Sequence, residues 1–181
     1  MKKLSGDPLL AGAQILLIFL IGILGFGTLM MILGLPALIV FQRDVIAEMA
    51  AQGVANGAEL ILPIALVMAA VIGLLALTIY FLVLLRRIVS SVGERDPFAP
   101  VNADRLHRMG WLALAGQVAS LPIGALIAWI AVEVGEQVEN VHIDEEMGFS
   151  LSGLLLVLVL FILARVFRHG AAMREDLEGT V

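Results

Sequence analysis

LILPIALVMAAVIGLLALTIYFLVLL, residues Leu60 to Leu85, is a charge-free and largely apolar run bounded by Glu59 on one side and by Arg86-Arg87 on the other. A helix rises about 1.5 Å per residue and the hydrocarbon core of a bilayer is about 30 Å thick, so about 20 such residues cross it. Outward from this run lie three more without a charged residue: Leu9 to Phe41, Met109 to Val132 and Met147 to Ala164. An open strand edge in lipid leaves backbone groups unpaired, and the alternating pattern of a barrel is absent, so the runs are expected to be helices. The fold class is therefore all-α: a polytopic four-helix transmembrane bundle with short extramembrane loops. Its expected spans are about 9–41, 60–85, 109–132 and 147–167, in a single membrane domain covering residues 1–181.

The whole-chain composition agrees with this reading. Of 181 residues, 61% are hydrophobic and 15% charged; a soluble domain carries roughly 45–50% apolar and about 25% charged residues. A water-soluble globular enzyme is excluded. The chain has no cysteine, which removes disulfides, cysteine-based metal sites and cysteine nucleophiles. The first run is long for one straight crossing, and Gly34 and Pro36 supply an expected kink. Lys2 and Lys3 precede it, but the apolar stretch exceeds a signal-peptide core and no small-residue cleavage site follows, so an uncleaved first span is expected.

Lysine and arginine orient the spans, because they accumulate in cytoplasmic flanks. Lys2, Lys3, Arg86, Arg87, Arg95, Arg105, Arg108, Arg165, Arg168 and Arg174 would share one side, leaving only Arg43 on the other. Both termini and the central loop are then cytoplasmic. With seven acidic residues there the cytoplasmic segments carry net +3, while the outer ones, with one basic and nine acidic residues, carry −8. Trp111 and Trp129 lie about 27 Å apart along the third span, a separation suited to anchoring its two ends at the lipid interfaces.

Helix association in lipid relies on close packing and interhelical hydrogen bonds. Gly116, Ser120, Gly124 and Ala128 form a four-residue ladder of small side chains, with Gln117 beside it as a candidate polar clasp. The ladder suits an intramolecular contact better than a homodimer interface. Ala65, Ala69 and Gly73 make a shorter version in the second span. No Asp, Glu, Lys, Arg or His falls within the four charge-free runs, which weighs against an ion-coupled transporter.

The loops hold no catalytic signature, whether a zinc-protease helix, phosphate loop, dinucleotide fingerprint or nucleophile elbow. No catalytic residue, metal or cofactor is assigned, and the chain is not expected to be an enzyme. Residues 42–59 carry a weak helical stripe of Val45, Ile46, Met49 and Ala50. In the second outer loop, Glu133, Glu136, Glu139, Asp144, Glu145 and Glu146 surround His142. Oxygen-rich clusters suit calcium or magnesium, although an acidic loop that merely excludes cationic residues has the same composition. Inside, Asp96-Pro97 and Ala99-Pro100 enforce an extended turn, and Asn102 is placed to cap the next helix. The tail can pair Glu175 or Asp176 with Arg95, Arg105 or Arg108.

The turn Asp96-Pro97-Phe98, followed by Asn102-Ala103, Arg105-Leu106 and Gly110-Trp111, recurs with the endings Ala164-Arg165-Val166-Phe167-Arg168 and Met173-Arg174-Glu175-Asp176-Leu177. In these motifs the chain resembles the bacterial domain-of-unknown-function family twenty-nine seventy-five. The usual Gly-Asp-Pro-Phe order is interrupted here by Glu94 and Arg95. The resemblance implies a four-span protein of the prokaryotic cytoplasmic membrane with no established activity, often encoded beside a small helix-turn-helix regulator. It implies a sensory or regulatory membrane partner of such a regulator, whose candidate surface is Arg95, Asp96, Pro97, Phe98, Asn102, Arg105, Arg108, Arg174, Glu175 and Asp176. Direct nucleic-acid binding is not expected, since the central arginines are mixed with acids and no recognition module is visible. The alternative is a small permease, exporter or immunity protein acting within the bilayer, with Gln14, Thr28, Thr78, Gln117 and Ser120 as its polar path.

Overall fold

The computed structural model describes residues 8–93, 96, 98–135 and 150–178. These form five helices, α1 (Pro8–Val40), α2 (Gln42–Ala51), α3 (Gly57–Gly93), α4 (Pro100–Gly135) and α5 (Leu151–Glu178), with no strand among the described residues. α1, α3, α4 and α5 are each long and apolar enough to cross a membrane, so the chain is a four-span helical membrane bundle. Large side chains such as Phe19, Phe26, Leu62 and Leu155 are more than half exposed, the inverse of a soluble core and the expected surface toward lipid tails.

The helices outrun the apolar segments that announce them. α1 is helical through Gly34 and Pro36, α3 passes Leu85 to Gly93, and α4 starts at Pro100, well before Met109. Proline suits that starting position, because its missing N–H is one of the groups a helix start leaves unpaired. The fourth helix begins at Leu151; residues 147–149 of its expected span lie outside the described residues, as do Lys2, Lys3, Arg95, Pro97 and the acidic loop with Glu136, Glu139, His142, Asp144, Glu145 and Glu146.

Two compact units divide the chain. The first comprises Met1–Leu24, Leu77–Ala115 and Leu151–Val181. Its core joins Leu84 and Ile88 of α3, Leu106 and Met109 of α4, and Leu160 and Ala164 of α5, flanked by Phe81, Leu112 and Phe167. The spacing of these residues along each helix explains the burial, because positions three and four apart share a face. Gly110 allows a close helix approach: a Cβ there would lie 2.9 Å from the Phe161 ring.

The second unit comprises Gly25–Ala76 and Gly116–Ser150, and Arg43 is the only lysine or arginine in its sequence. The stripe of residues 42–59 becomes α2, which stops before Gly53, whose φ of 94° is open chiefly to glycine. Val54 then turns back, its N–H donating to Met49 O at 2.9 Å. Asn56 Nδ2 donates to Glu133 Oε1 at 3.1 Å, linking the residues before α3 to the last turns of α4.

Candidate functional site

The central loop and tail meet within the first unit and are built as one object. Asn102 is its hub. It is fully buried and is the one buried polar side chain among the described residues. Its Nδ2 donates to Ser91 Oγ at 2.7 Å, and Ser91 Oγ donates to Ile88 O at 2.7 Å. On its other side Arg105 Nη1 donates to Asn102 Oδ1 at 2.9 Å and to Arg87 O at 3.3 Å. The chain of bonds runs from α4 to the backbone carbonyls of Arg87 and Ile88 in the last two turns of α3, which accept these side-chain donors beside their own helix.

The expected N-cap role of Asn102 is therefore corrected. α4 already begins at Pro100, and the Asn102 N–H donates to Ala99 O at 2.8 Å. Its side chain reaches away from its own helix to Ser91, near the end of α3. A buried amide is stable only when its donors and acceptors are matched, and this arrangement matches them.

The tail closes over the turn. Arg174 Nη1 donates to Asp96 Oδ1 at 2.6 Å, and Arg168 Nη2 meets Asp104 Oδ1 at 3.4 Å. In these two pairs the tail supplies the cations, while the turn and the start of α4 supply the carboxylates; the expected pairing of the tail acids with Arg95 falls on a residue outside the described ones. The Phe98 and Phe167 rings lie 5.4 Å apart and tilted, and a Cβ on Gly170 would fall 2.9 Å from Phe98. Glycine at 170 thus lets the aromatic ring of the turn rest against α5. Arg108 and Glu175 remain exposed around this closed contact, while Arg105 is half-buried in the hub.

The sequence reading missed a second cluster beside the hub. Trp111 Nε1 donates to His107 Nε2 at 3.1 Å, and both rings pack edgewise against Phe161, at 5.7 and 5.3 Å. Their four-residue spacing on one helix was the available signal. His169, on α5, opens on the same side as His107. Among the described residues no group of three or more metal-ligating side chains occurs.

The helix-packing candidates divide. Gln117 is a clasp: its Nε2 donates to Ser150 O at 2.8 Å and its Oε1 accepts from Ser150 N at 3.4 Å, tying α4 to the entry of α5. Ser120 Oγ turns back to Gln117 O at 2.7 Å. A Cβ on Gly116 would meet nothing within 4 Å, so that step of the ladder is not a close crossing, unlike Gly110. Gly124 and Ala128 are half-buried.

The family model described as Protein of unknown function (DUF2975) matches residues 44–181. No curated protein and no solved structure matches the chain.

Proposed function

The chain belongs to the DUF2975 family, and from that membership and the closed turn–tail contact we propose that it is a non-enzymatic sensory or regulatory membrane protein. Its partner in this reading is a small cytosolic helix-turn-helix regulator, and its home is the prokaryotic cytoplasmic membrane with the arginine-rich segments inside. The observation that carries the reading is the Arg174–Asp96 bridge. It joins two segments remote in sequence into one surface, held by exposed charges that a protein partner is able to compete for. A lipid anchor alone needs no carboxylate from the turn to meet a tail arginine. Beneath that surface, the buried Asn102 hub ties the start of α4 to the end of α3.

Affinity purification of the full-length protein in mild detergent tests the proposal. The expected result is co-purification of a small helix-turn-helix protein, identified by mass spectrometry and lost on Arg108→Glu or Glu175→Lys. Arg105 is a poor choice for charge reversal because its guanidinium serves the hub. Recovery of no such protein, or recovery indifferent to both changes, overturns the reading.

A further inference from the structure

A groove of about 450 Å³ opens beside the turn–tail contact, with His107 on one wall and Phe161, Arg165, Arg168 and His169 along α5. Its floor includes the small, buried Ala164. We propose that this groove is a binding site for the phosphate headgroup of an anionic phospholipid. The inference is independent of the regulator reading.

Charge comes first. Two guanidinium groups and two imidazoles line one concavity, and planar guanidinium forks match phosphate oxygens bidentately. Among the described residues nothing pairs with Arg165 or His169. Among the described residues the one acidic group that reaches a groove arginine is Asp104, at 3.4 Å from Arg168, with both side chains nearly two-thirds exposed. That long, solvated pair competes weakly with a phosphate. His107 adds directionality. Indole Nε1 only donates, so the bond from Trp111 requires a lone pair on His107 Nε2 and leaves Nδ1–H as a donor.

The second argument distinguishes a lipid from a free anion. Arg165 is the first charge after the apolar part of α5. Phe161, Leu158 and Leu154 precede it by four, seven and eleven residues, and Leu158 and Leu154 are exposed. Those spacings keep one helix face. The cationic groove therefore continues into an apolar track toward the membrane interior, which suits a headgroup with its acyl chain attached. Trp111, at the groove edge, is the aromatic type enriched at this level of a membrane.

The test uses Trp111 as reporter. The full-length Trp129→Phe protein has Trp111 as its one remaining tryptophan. It is reconstituted into phosphatidylcholine vesicles containing increasing mole fractions of dibrominated phosphatidylglycerol or, in parallel, of dibrominated phosphatidylcholine. Brominated chains quench tryptophan on contact. The expected result is quenching at about fivefold lower mole fraction for the anionic lipid, the preference expected of one well-placed arginine contact. Arg165→Gln/Arg168→Gln should abolish the preference, while Arg86→Gln, at an exposed arginine outside the groove, should retain it. Equal quenching by the two lipids overturns the proposal, as does an equal loss of preference in Arg86→Gln, which indicates general surface charge. Reversal by millimolar inorganic phosphate assigns the groove to a free anion and also overturns it. If the double variant does not fold, the lipid comparison and the phosphate competition in the parent protein still decide.

Discussion

Asn102 at the start of α4 and Ser91 near the end of α3 are joined side chain to side chain, Asn102 Nδ2 donating to Ser91 Oγ at 2.7 Å. The bond matters because its donor is wholly buried. Ser91 passes its own hydrogen to Ile88 O, and Arg105 donates into the other end of the amide, so loss of the amide leaves neighbours on both sides unmatched.

Asn102→Ala is expected to destabilise the protein by about 1–3 kcal/mol, the usual cost of stranding buried polar partners. Ser91→Ala should cost less, and the two changes should be non-additive because they interrupt one network. Thermal unfolding of the two variants and the double variant in one detergent checks this. Strict additivity would show that the bond contributes nothing.

Gly110→Ala places a methyl group against the Phe161 ring, with ring carbons at 2.9 to 3.1 Å. The ring is wedged beside His107 and Trp111, so it yields poorly, and a cost of about 1–3 kcal/mol is expected. Phe161→Leu in the same chain should recover part of it. Gly116→Ala, which enters open space, should be neutral or stabilising by up to about 1 kcal/mol. The ranking of melting temperatures is the measurement.

Gln117→Leu removes both bonds to the Ser150 backbone. Interhelical polar contacts in membranes are typically worth about 0.6–2 kcal/mol, and a loss within that range is expected. Amide exchange should accelerate at the entry of α5 near Ser150 and remain unchanged at the distant Asn102 hub. Uniform acceleration would instead indicate global loosening.

Asp96→Asn and Arg174→Gln should each cost no more than about 1 kcal/mol, since both side chains are about half exposed. The effect should shrink in high salt, where exposed charges are screened. Exchanging the residues, as Asp96→Arg with Arg174→Asp, should restore most of the loss. Fluorescence resonance between labels on the turn and the tail would report the contact directly.

The spans were legible because a charge-free run reports what lipid tolerates. The same criterion stops at the first charge, whereas a helix does not. Ile88 lies past Arg86-Arg87, and Ala103 and Leu106 lie among the charges before Met109, yet all face the core, so α3 and α4 extend beyond the apolar runs. Within the site, the turn at Asp96 and the tail at Arg174 were both legible as special segments. Their pairing was not, because the sign of a contact depends on which helix faces meet. His107 and Trp111 escaped for a related reason: their spacing is visible, but Phe161, the ring that gathers them, comes from α5.

α5 runs as one helix from Leu151 in the apolar zone to Glu178 in the charged tail, with no proline along it. Mechanically it is a shaft. Its apolar half feels bilayer thickness, and a mismatch of a few ångströms carries roughly the free energy of an exposed ion pair. Because Arg174 rides on that same helix, any change in its tilt is expected to alter the Arg174–Asp96 separation.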